Sequence, residues 1–186
     1  MNLYCATTNA GKLREFRLAG LDVEVLTGIP SVEETGATFE ENSILKARYY
    51  GQFAAGPLFA DDSGLEVEAL SGAPGIYSAR YAGPTATDAE NNERLLEALA
   101  GIENRAARFV CVLALVDQDG VVGAYRGEVA GEILTAPRGA GGFGYDPLFW
   151  YAPLQRSFGE LSNEEKFAVS HRGQALRLLQ DRTAGA

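Results

Sequence analysis

Histidine and cysteine are scarce in this chain of 186 residues, which contains one histidine and two cysteines. A lone histidine, His171, cannot form a histidine-rich metal site, so we do not expect a metal bound through nitrogen or sulfur. Cys5 and Cys111 lie in apolar runs without a neighbouring histidine that would activate a thiol, which argues against cysteine-based nucleophilic catalysis. We interpret both as buried, reduced thiols.

Clusters of basic residues and long apolar runs are also missing. The formal net charge is −9, and the 16 lysines and arginines are spread along the chain, so no basic patch of the kind that binds nucleic acid is expected. No segment approaches the ~18 apolar residues of a membrane span, and the first residues lack a signal-peptide pattern. We therefore expect a cytoplasmic protein without a nucleic-acid or membrane partner. A phosphorylated small molecule is still compatible with an acidic chain, because a bound divalent cation reverses the local field.

The chain does contain enough apolar sequence for a folded core. Hydrophobic residues make up 46% of the chain and no linker divides it, so we expect one domain covering residues 1–186. Predicted strands and helices alternate, which is typical of the α/β class. The strands are predicted in 2–7, 23–28, 57–60 and 65–70, and helices after Asn9, in 38–53 and in 87–101. A later hairpin around 117–120 favours a mixed sheet over a parallel one.

Two lysines occupy positions that suit an anion. Residues 7–12 turn from a strand into a helix, and the free N–H groups at a helix start attract phosphate close to Lys12; an ordinary turn with a solvated lysine is the alternative. In the predicted helix 38–53, Asn42 and Lys46 lie four residues apart within the apolar sector. Lys46 therefore either extends along that face to water or points into a cleft that holds an anion.

Two pairs of acidic residues are candidates for metal binding or proton transfer. Asp61 and Asp62 follow a short predicted strand, and open α/β sheets bind ligands beyond the carboxyl ends of their strands. Ser63 would continue a tight turn there, and a simple Asx turn is the alternative. Together with Glu33 and Glu34 from an earlier loop, these carboxylates could hold Mg²⁺ or accept a proton from water.

The segment GGFGYD, residues 141–146, places two aromatic side chains among glycines. Glycines let a backbone approach a ligand closely, and an aromatic ring can stack on a planar base. Ordinary loop packing is an equally good interpretation of this segment taken alone.

Five segments, taken together and in order, resemble the inosine triphosphate pyrophosphatase family. They are ATTNAGKLREF, EETGATFEENSILKAR, FADDSGLEVEALSGAPGIYSARYAG, GGFGYDPLF and ELSNEEKFAVSHRGQAL, and they span nearly the whole chain. The resemblance implies an elongated mixed β-sheet flanked by helices, with two lobes around a central cleft, in a homodimer. It also implies Mg²⁺-dependent hydrolysis of non-standard purine nucleoside triphosphates, such as ITP, dITP and XTP, to the monophosphate and pyrophosphate.

The resemblance further implies roles for individual residues. The catalytic residues would be Asp62 as the proton acceptor, Asp61 in support, and Lys12 and Lys46 facing the phosphates. The metal ligands would be Asp62, Glu33 and Glu34. The other substrate-binding residues would be Thr7, Thr8, Asn9, Ser63, Phe143, Gly144, Tyr145, Asp146, Lys166, His171 and Arg172, of which the last seven would line the base pocket.

Two other interpretations remain open at this point. A Maf-like pyrophosphatase, acting on pyrimidine or modified nucleotides, would share the reaction type. A receiver-like signalling module also combines an acidic pair with Mg²⁺ and a lysine. In such a module the lysine follows a later strand, whereas Lys46 precedes Asp61 and Asp62.

Overall fold

The computed structural model describes residues 3–7 and 9–184, and within them strands and helices alternate as predicted. The strands are β1 (Leu3–Cys5), β2 (Val23–Val25), β3 (Leu58–Val67), β4 (Ala106–Asp117), β5 (Gly120–Ile133), β6 (Phe149–Tyr151) and β7 (Arg156–Ser157). The helices are α1 (Ala10–Leu18), α2 (Phe39–Gly51), α3 (Asp88–Ala98), α4 (Asn163–Val169) and α5 (His171–Ala184). No helix formed by the described residues is long and apolar enough to cross a membrane.

The strands form one mixed sheet in the order β2-β1-β3-β4-β5-β6-β7. β1 pairs in parallel with β2 and with β3, and Tyr4 lies opposite both Glu24 and Leu58. β6 pairs antiparallel with β5 and with β7. The predicted hairpin is present, because only two residues connect β4 to β5 and the Asp117 carboxylate accepts the N–H groups of Asp119 and Gly120. The prediction of a mixed sheet flanked by helices is confirmed.

The predicted break after residue 60 is wrong, because β3 continues without interruption from Leu58 to Val67. Asp61 and Asp62 are therefore strand residues, each about 6% exposed, and not part of a turn at a strand end. The Asp-Asp-Ser-Gly stretch has the local composition of a turn. β3 nevertheless lies between β1 and β4 in the sheet, and pairing with strands distant in the sequence outweighs that local preference. The residues that follow, Glu68–Leu70, form a 3₁₀ turn and do not extend the strand.

Contacts divide the chain into two compact units. The first comprises residues within 1–62, 111–127 and 171–186, and the second comprises 63–110 and 128–170. One apolar cluster of the first unit consists of Ala47, Leu58, Ala60, Ala114 and Val116. The larger cluster of the second unit is built around Phe109, Phe149 and Phe158, whose ring centroids lie 4.5–5.9 Å apart.

Candidate active site

Lys12 contacts Asp61 in the first unit. The turn predicted at 7–12 is present, and Asn9 caps α1 by accepting the Lys12 backbone N–H at 3.1 Å. Capping of this kind fixes where the helix starts and places Lys12 in its first turn. The Lys12 Nζ then donates to Asp61 Oδ1 at 2.8 Å, with the two side chains 18% and 3% exposed. The alternative of a solvated lysine does not apply here.

Lys46 contacts Asp62 in the same unit. Thr38 caps α2 by accepting the Glu41 N–H at 3.1 Å. Two turns later, the Lys46 Nζ donates to Asp62 Oδ1 and to Glu34 Oε1, both at 2.8 Å. With only 12% of its side chain exposed, Lys46 is directed at carboxylates and does not extend along the helix to water. Its location on the face shared with the buried Asn42 agrees with the spacing in the sequence.

The two acidic residues of the 33–34 pair have different surroundings. Glu34 is half-buried against Lys46, whereas Glu33 is exposed. The structure therefore brings Glu34 to Asp62 through a shared lysine, Lys46, and leaves Glu33 on the surface.

Burial and charge separate the pKa values of the adjacent aspartates. Burial alone would raise the pKa of Asp61, but Lys12, Arg172 and Lys46 lower that pKa well below its usual range. Burial raises the pKa of Asp62, an effect that Lys46 opposes and Glu34 reinforces. Asp61 is thus a permanently charged partner for the surrounding cations. Asp62 is the carboxylate better suited to accept a proton.

A buried arginine connects this cluster to the last helix. Arg172 is 1% exposed, and its guanidinium donates to Glu15 Oε2 at 2.5 Å and to Asp61 Oδ2 at 3.4 Å. The neighbouring carboxylates raise its pKa despite burial. Arg172, assigned to the base pocket by the resemblance, thus contacts two acids of the first unit. Glu15 was not among the predicted site residues, since its partner lies 157 positions along the chain.

The predicted base-binding residues of the second unit form a tight cluster of their own. Lys166 and Asp146 are both buried and pair at 2.6 Å, and Asp146 also accepts the Phe143 N–H at 2.8 Å. The Lys166 ammonium lies 4.4 Å from the centroid of the Phe143 ring, within the range of a cation–π contact. Tyr145 is buried in the apolar core, and its hydroxyl donates to the Ser78 carbonyl at 2.7 Å.

The remaining predicted residues are distributed as follows. Thr7 accepts the Asn9 N–H at 3.1 Å, Ser63 is half-buried in β3 of the second unit, and His171 is buried at the start of α5. Thr8 lies outside the described residues. Burial raises the pKa of Cys5 to about 11 and that of Cys111 to about 12, so neither thiol is a nucleophile at neutral pH.

The oxygen atoms of this cluster suit a divalent cation. Within residues 3–7 and 9–184, no three side chains of His, Cys, Asp or Glu converge as a ready-made metal site. Asp62 Oδ1 accepts from Lys46, but Asp62 Oδ2 is buried and has no hydrogen-bond donor among the described residues. A buried acceptor without a donor is costly, and carboxylate oxygen is the ligand that Mg²⁺ prefers. The donor set therefore fits a Mg²⁺ ion that would complete its coordination with water and substrate oxygens.

These features define an α/β protein in which two half-buried lysines pair with adjacent buried carboxylates of one strand. Residues 3–182 match the model of the Ham1 family, and the chain belongs to that family.

Relatives and solved structures agree with this assignment. The chain is 55% identical over 185 residues to the dITP/XTP pyrophosphatase of Syntrophobacter fumaroxidans, covering 96% of this chain and 80% of the relative. It is 48% identical to the enzyme of the same name from Acidobacterium capsulatum, covering 100% and 99% of the two chains. The Ham1 protein of Staphylococcus aureus has a similar fold, with a TM-score of 0.90, 42% identity and coverage of 100% and 99%. A HAM1 protein from Coxiella burnetii gives a TM-score of 0.89 at 41% identity, covering both chains completely.

The resemblance stated from the sequence is confirmed at the level of the family. Neither the Maf-like nor the receiver-like interpretation is supported by these comparisons.

Proposed function

We propose that this protein hydrolyses non-standard purine nucleoside triphosphates, namely ITP, dITP and XTP, to the nucleoside monophosphate and pyrophosphate. The observation that carries this proposal is the pairing of two lysines from different helices with two adjacent buried aspartates in β3. The names of the relatives support the same substrate class.

The cationic side chains are suited to a triphosphate. Lys12 lies in the first turn of α1 beside helix N–H groups, which favour anions. Lys46 is half-buried between the carboxylates of Glu34 and Asp62, and its pKa is raised by Asp62, Asp61 and Glu34 against the effect of partial burial. Both ammonium groups would stabilise the negative charge that develops on the leaving pyrophosphate. Thr7, Thr8, Asn9 and Ser63 are proposed as further contacts to the substrate.

Asp62 is proposed as the general base. A water molecule would attack the α-phosphorus in line with the leaving pyrophosphate, and the Asp62 carboxylate would accept the proton that the water releases. Asp61 would hold Lys12 and Arg172 in place through its own charge. Asp62 and Glu34 would hold Mg²⁺, which when bound neutralises charge on the triphosphate. Glu33 is a weaker candidate ligand because its side chain is exposed.

Purine selectivity is assigned to the residues that the resemblance places around the base. These are Phe143, Gly144, Tyr145, Asp146, Lys166, His171 and Arg172. A 6-keto purine accepts a hydrogen bond at the position where adenine has an amino donor. A site that offers donors there disfavours adenine, because the donors would be left unpaired.

The test is hydrolysis of ITP by the purified protein with Mg²⁺, with pyrophosphate and orthophosphate assayed separately and ATP as the comparison substrate. The proposal expects pyrophosphate as the product and a much higher kcat/KM for ITP than for ATP. Release of orthophosphate, or equal use of ATP, would contradict it. We further propose that residues 1–186 act as one catalytic domain in a cytoplasmic homodimer, which the family resemblance supports.

A further inference from the structure

One residue of the proposed base-binding turn, Gly144, is held at both its N–H and its carbonyl by α3, in the second unit. The Gly144 N–H donates to Asp88 Oδ2 at 2.6 Å, and Asn92 Nδ2 donates to the Gly144 carbonyl at 2.9 Å. The two side chains come from successive turns of one helix, so a single rigid element fixes both groups.

The helix that supplies this clamp is itself firmly anchored. Thr87 and Glu90 form a capping box at the start of α3, with each side chain accepting the other residue's N–H. Asn91 is buried, accepts the Ala82 N–H at 2.8 Å and donates to the Ala79 carbonyl at 3.2 Å. Asn92 also donates to the Asp88 carbonyl at 2.8 Å. The positions of Asp88 and Asn92 are therefore fixed by contacts of α3 other than those to the turn.

The backbone of Gly144, held in this way, sets the direction of the chain on either side of it. Gly144 has φ +60°, a left-handed conformation that glycine adopts without strain. Its neighbour Phe143 carries the ring that lies against the Lys166 ammonium. A rotation of the Phe143–Gly144 peptide, whose N–H is bound by Asp88, would move that ring, and with it the surface offered to a planar base.

We infer that Asp88 and Asn92 are positioning residues that set the purine preference of this protein by fixing the backbone of Gly144. The inference rests on the proposed function, in which residues 143–146 contact the base. Neither side chain touches the substrate in this account, since each is engaged with the turn.

The test compares Asp88→Ala with Asp88→Asn. Alanine removes the acceptor of the Gly144 N–H, whereas asparagine keeps an acceptor oxygen at the same reach. We expect Asp88→Ala to lower the ITP-to-ATP ratio of kcat/KM about three- to tenfold, the effect of one ordinary hydrogen bond. The loss should come mainly from a raised KM for ITP, with kcat nearly unchanged, and Asp88→Asn should restore most of the ratio. Asn92→Ala should resemble Asp88→Ala.

Glu93→Ala is the matched control, because Glu93 lies exposed on the same helix. This variant should leave kcat and KM for ITP unchanged. If Asp88→Ala folds poorly, Asp88→Ser replaces it, since serine keeps a small polar group at this exposed first position of α3 but is too short to reach Gly144. Failure of the wild type to hydrolyse ITP would count against the proposed function. If the wild type prefers ITP but a folded Asp88→Ala or Asp88→Ser variant has the same ITP-to-ATP ratio of kcat/KM, the positioning role of Asp88 is wrong while the proposed function stands. A lower kcat with an unchanged KM for ITP in these variants would also contradict the positioning role.

Discussion

Asp61 and Asp62 are neighbours in the chain, yet their side chains have different partners. Asp61 accepts hydrogen bonds from Lys12 and Arg172. Asp62 accepts one from Lys46, and its other oxygen is buried without a hydrogen-bond donor among the described residues. The two lysines come from different helices, α1 and α2, and this gives the adjacent carboxylates different surroundings. One residue is held as a fixed charge and the other is available for a proton or a cation.

Replacing Asp62 by asparagine tests the proposed proton acceptor at the scale of one residue. The change preserves size but removes the basic carboxylate, so kcat for ITP should fall ~10²–10⁴-fold, the usual contribution of a general base. Steady-state kinetics at saturating ITP and Mg²⁺ would measure the loss. Asp22→Asn, at an exposed position, should turn over like the wild type. Wild-type turnover by Asp62→Asn would remove Asp62 from this role.

Gly127 provides a prediction about stability. A methyl group at this position of β5 would overlap the His171 carbonyl oxygen and crowd the Ala175 N–H, both of which are backbone atoms of α5 that cannot rotate away. Gly127→Ala should therefore lower the free energy of unfolding by about 1–3 kcal/mol, the usual cost of overpacking, as measured by urea denaturation.

The control for that measurement is Gly123→Ala in the same strand. There an added methyl group would meet only the far end of the Tyr125 side chain, which can move. A Gly127→Ala protein as stable as Gly123→Ala would show that α5 does not pack closely on β5.

At this scale the sequence predicts some partners and not others. The four-residue spacing of Asn42 and Lys46 identified a lysine on a buried face, because helical periodicity is a local property. No such signal exists for Glu15, whose partner Arg172 is brought to it only by the tertiary fold. The same holds for Asp88, whose contact with Gly144 spans 56 residues.

Among the elements, helix starts were predicted best. The predicted helices 38–53 and 87–101 begin where α2 and α3 do, with Thr38 and Thr87 as their caps, since the signals for a helix start lie within a few residues. The uninterrupted β3 was predicted worst. Its central Asp-Asp-Ser-Gly stretch looks like a turn, and only pairing partners far away in the chain make it a strand.

The capping box of α3 gives a pH-dependent prediction. The Thr87 N–H and hydroxyl lower the pKa of Glu90 from its ordinary value of 4.5. A carboxylate whose pKa is lower in the folded state than in the unfolded state stabilises the fold at pH values above the unfolded-state pKa. That stabilisation is lost as the pH falls through the folded-state pKa. Thermal unfolding of Glu90→Gln should therefore depend less on pH than that of the wild type below about pH 4.5.

Glu93→Gln controls for the loss of one charge on the same helix. It lies exposed and should reproduce the wild-type dependence of Tm on pH. If Glu90→Gln also follows the wild-type curve, the Glu90 carboxylate does not stabilise the start of α3.

For the whole molecule, the proposed catalytic residues are distant in sequence but close in the first unit. Lys12 and Asp61 are separated by 49 residues and Asp61 and Arg172 by 111, and no periodicity could have predicted these contacts. The order of five segments along the chain carried the family assignment, because a set of ordered motifs is far more specific than any one of them. The α/β class followed from the alternation of elements, while the strand order required the structure.

The most direct test of the central claim is the position of oxygen-18 after ITP is hydrolysed in labelled water. Attack on the α-phosphorus, with Asp62 accepting the proton, places the label in IMP and leaves pyrophosphate unlabelled. Mass spectrometry of the two products measures this outcome. Label in the pyrophosphate would show attack on the β-phosphorus and would contradict the account.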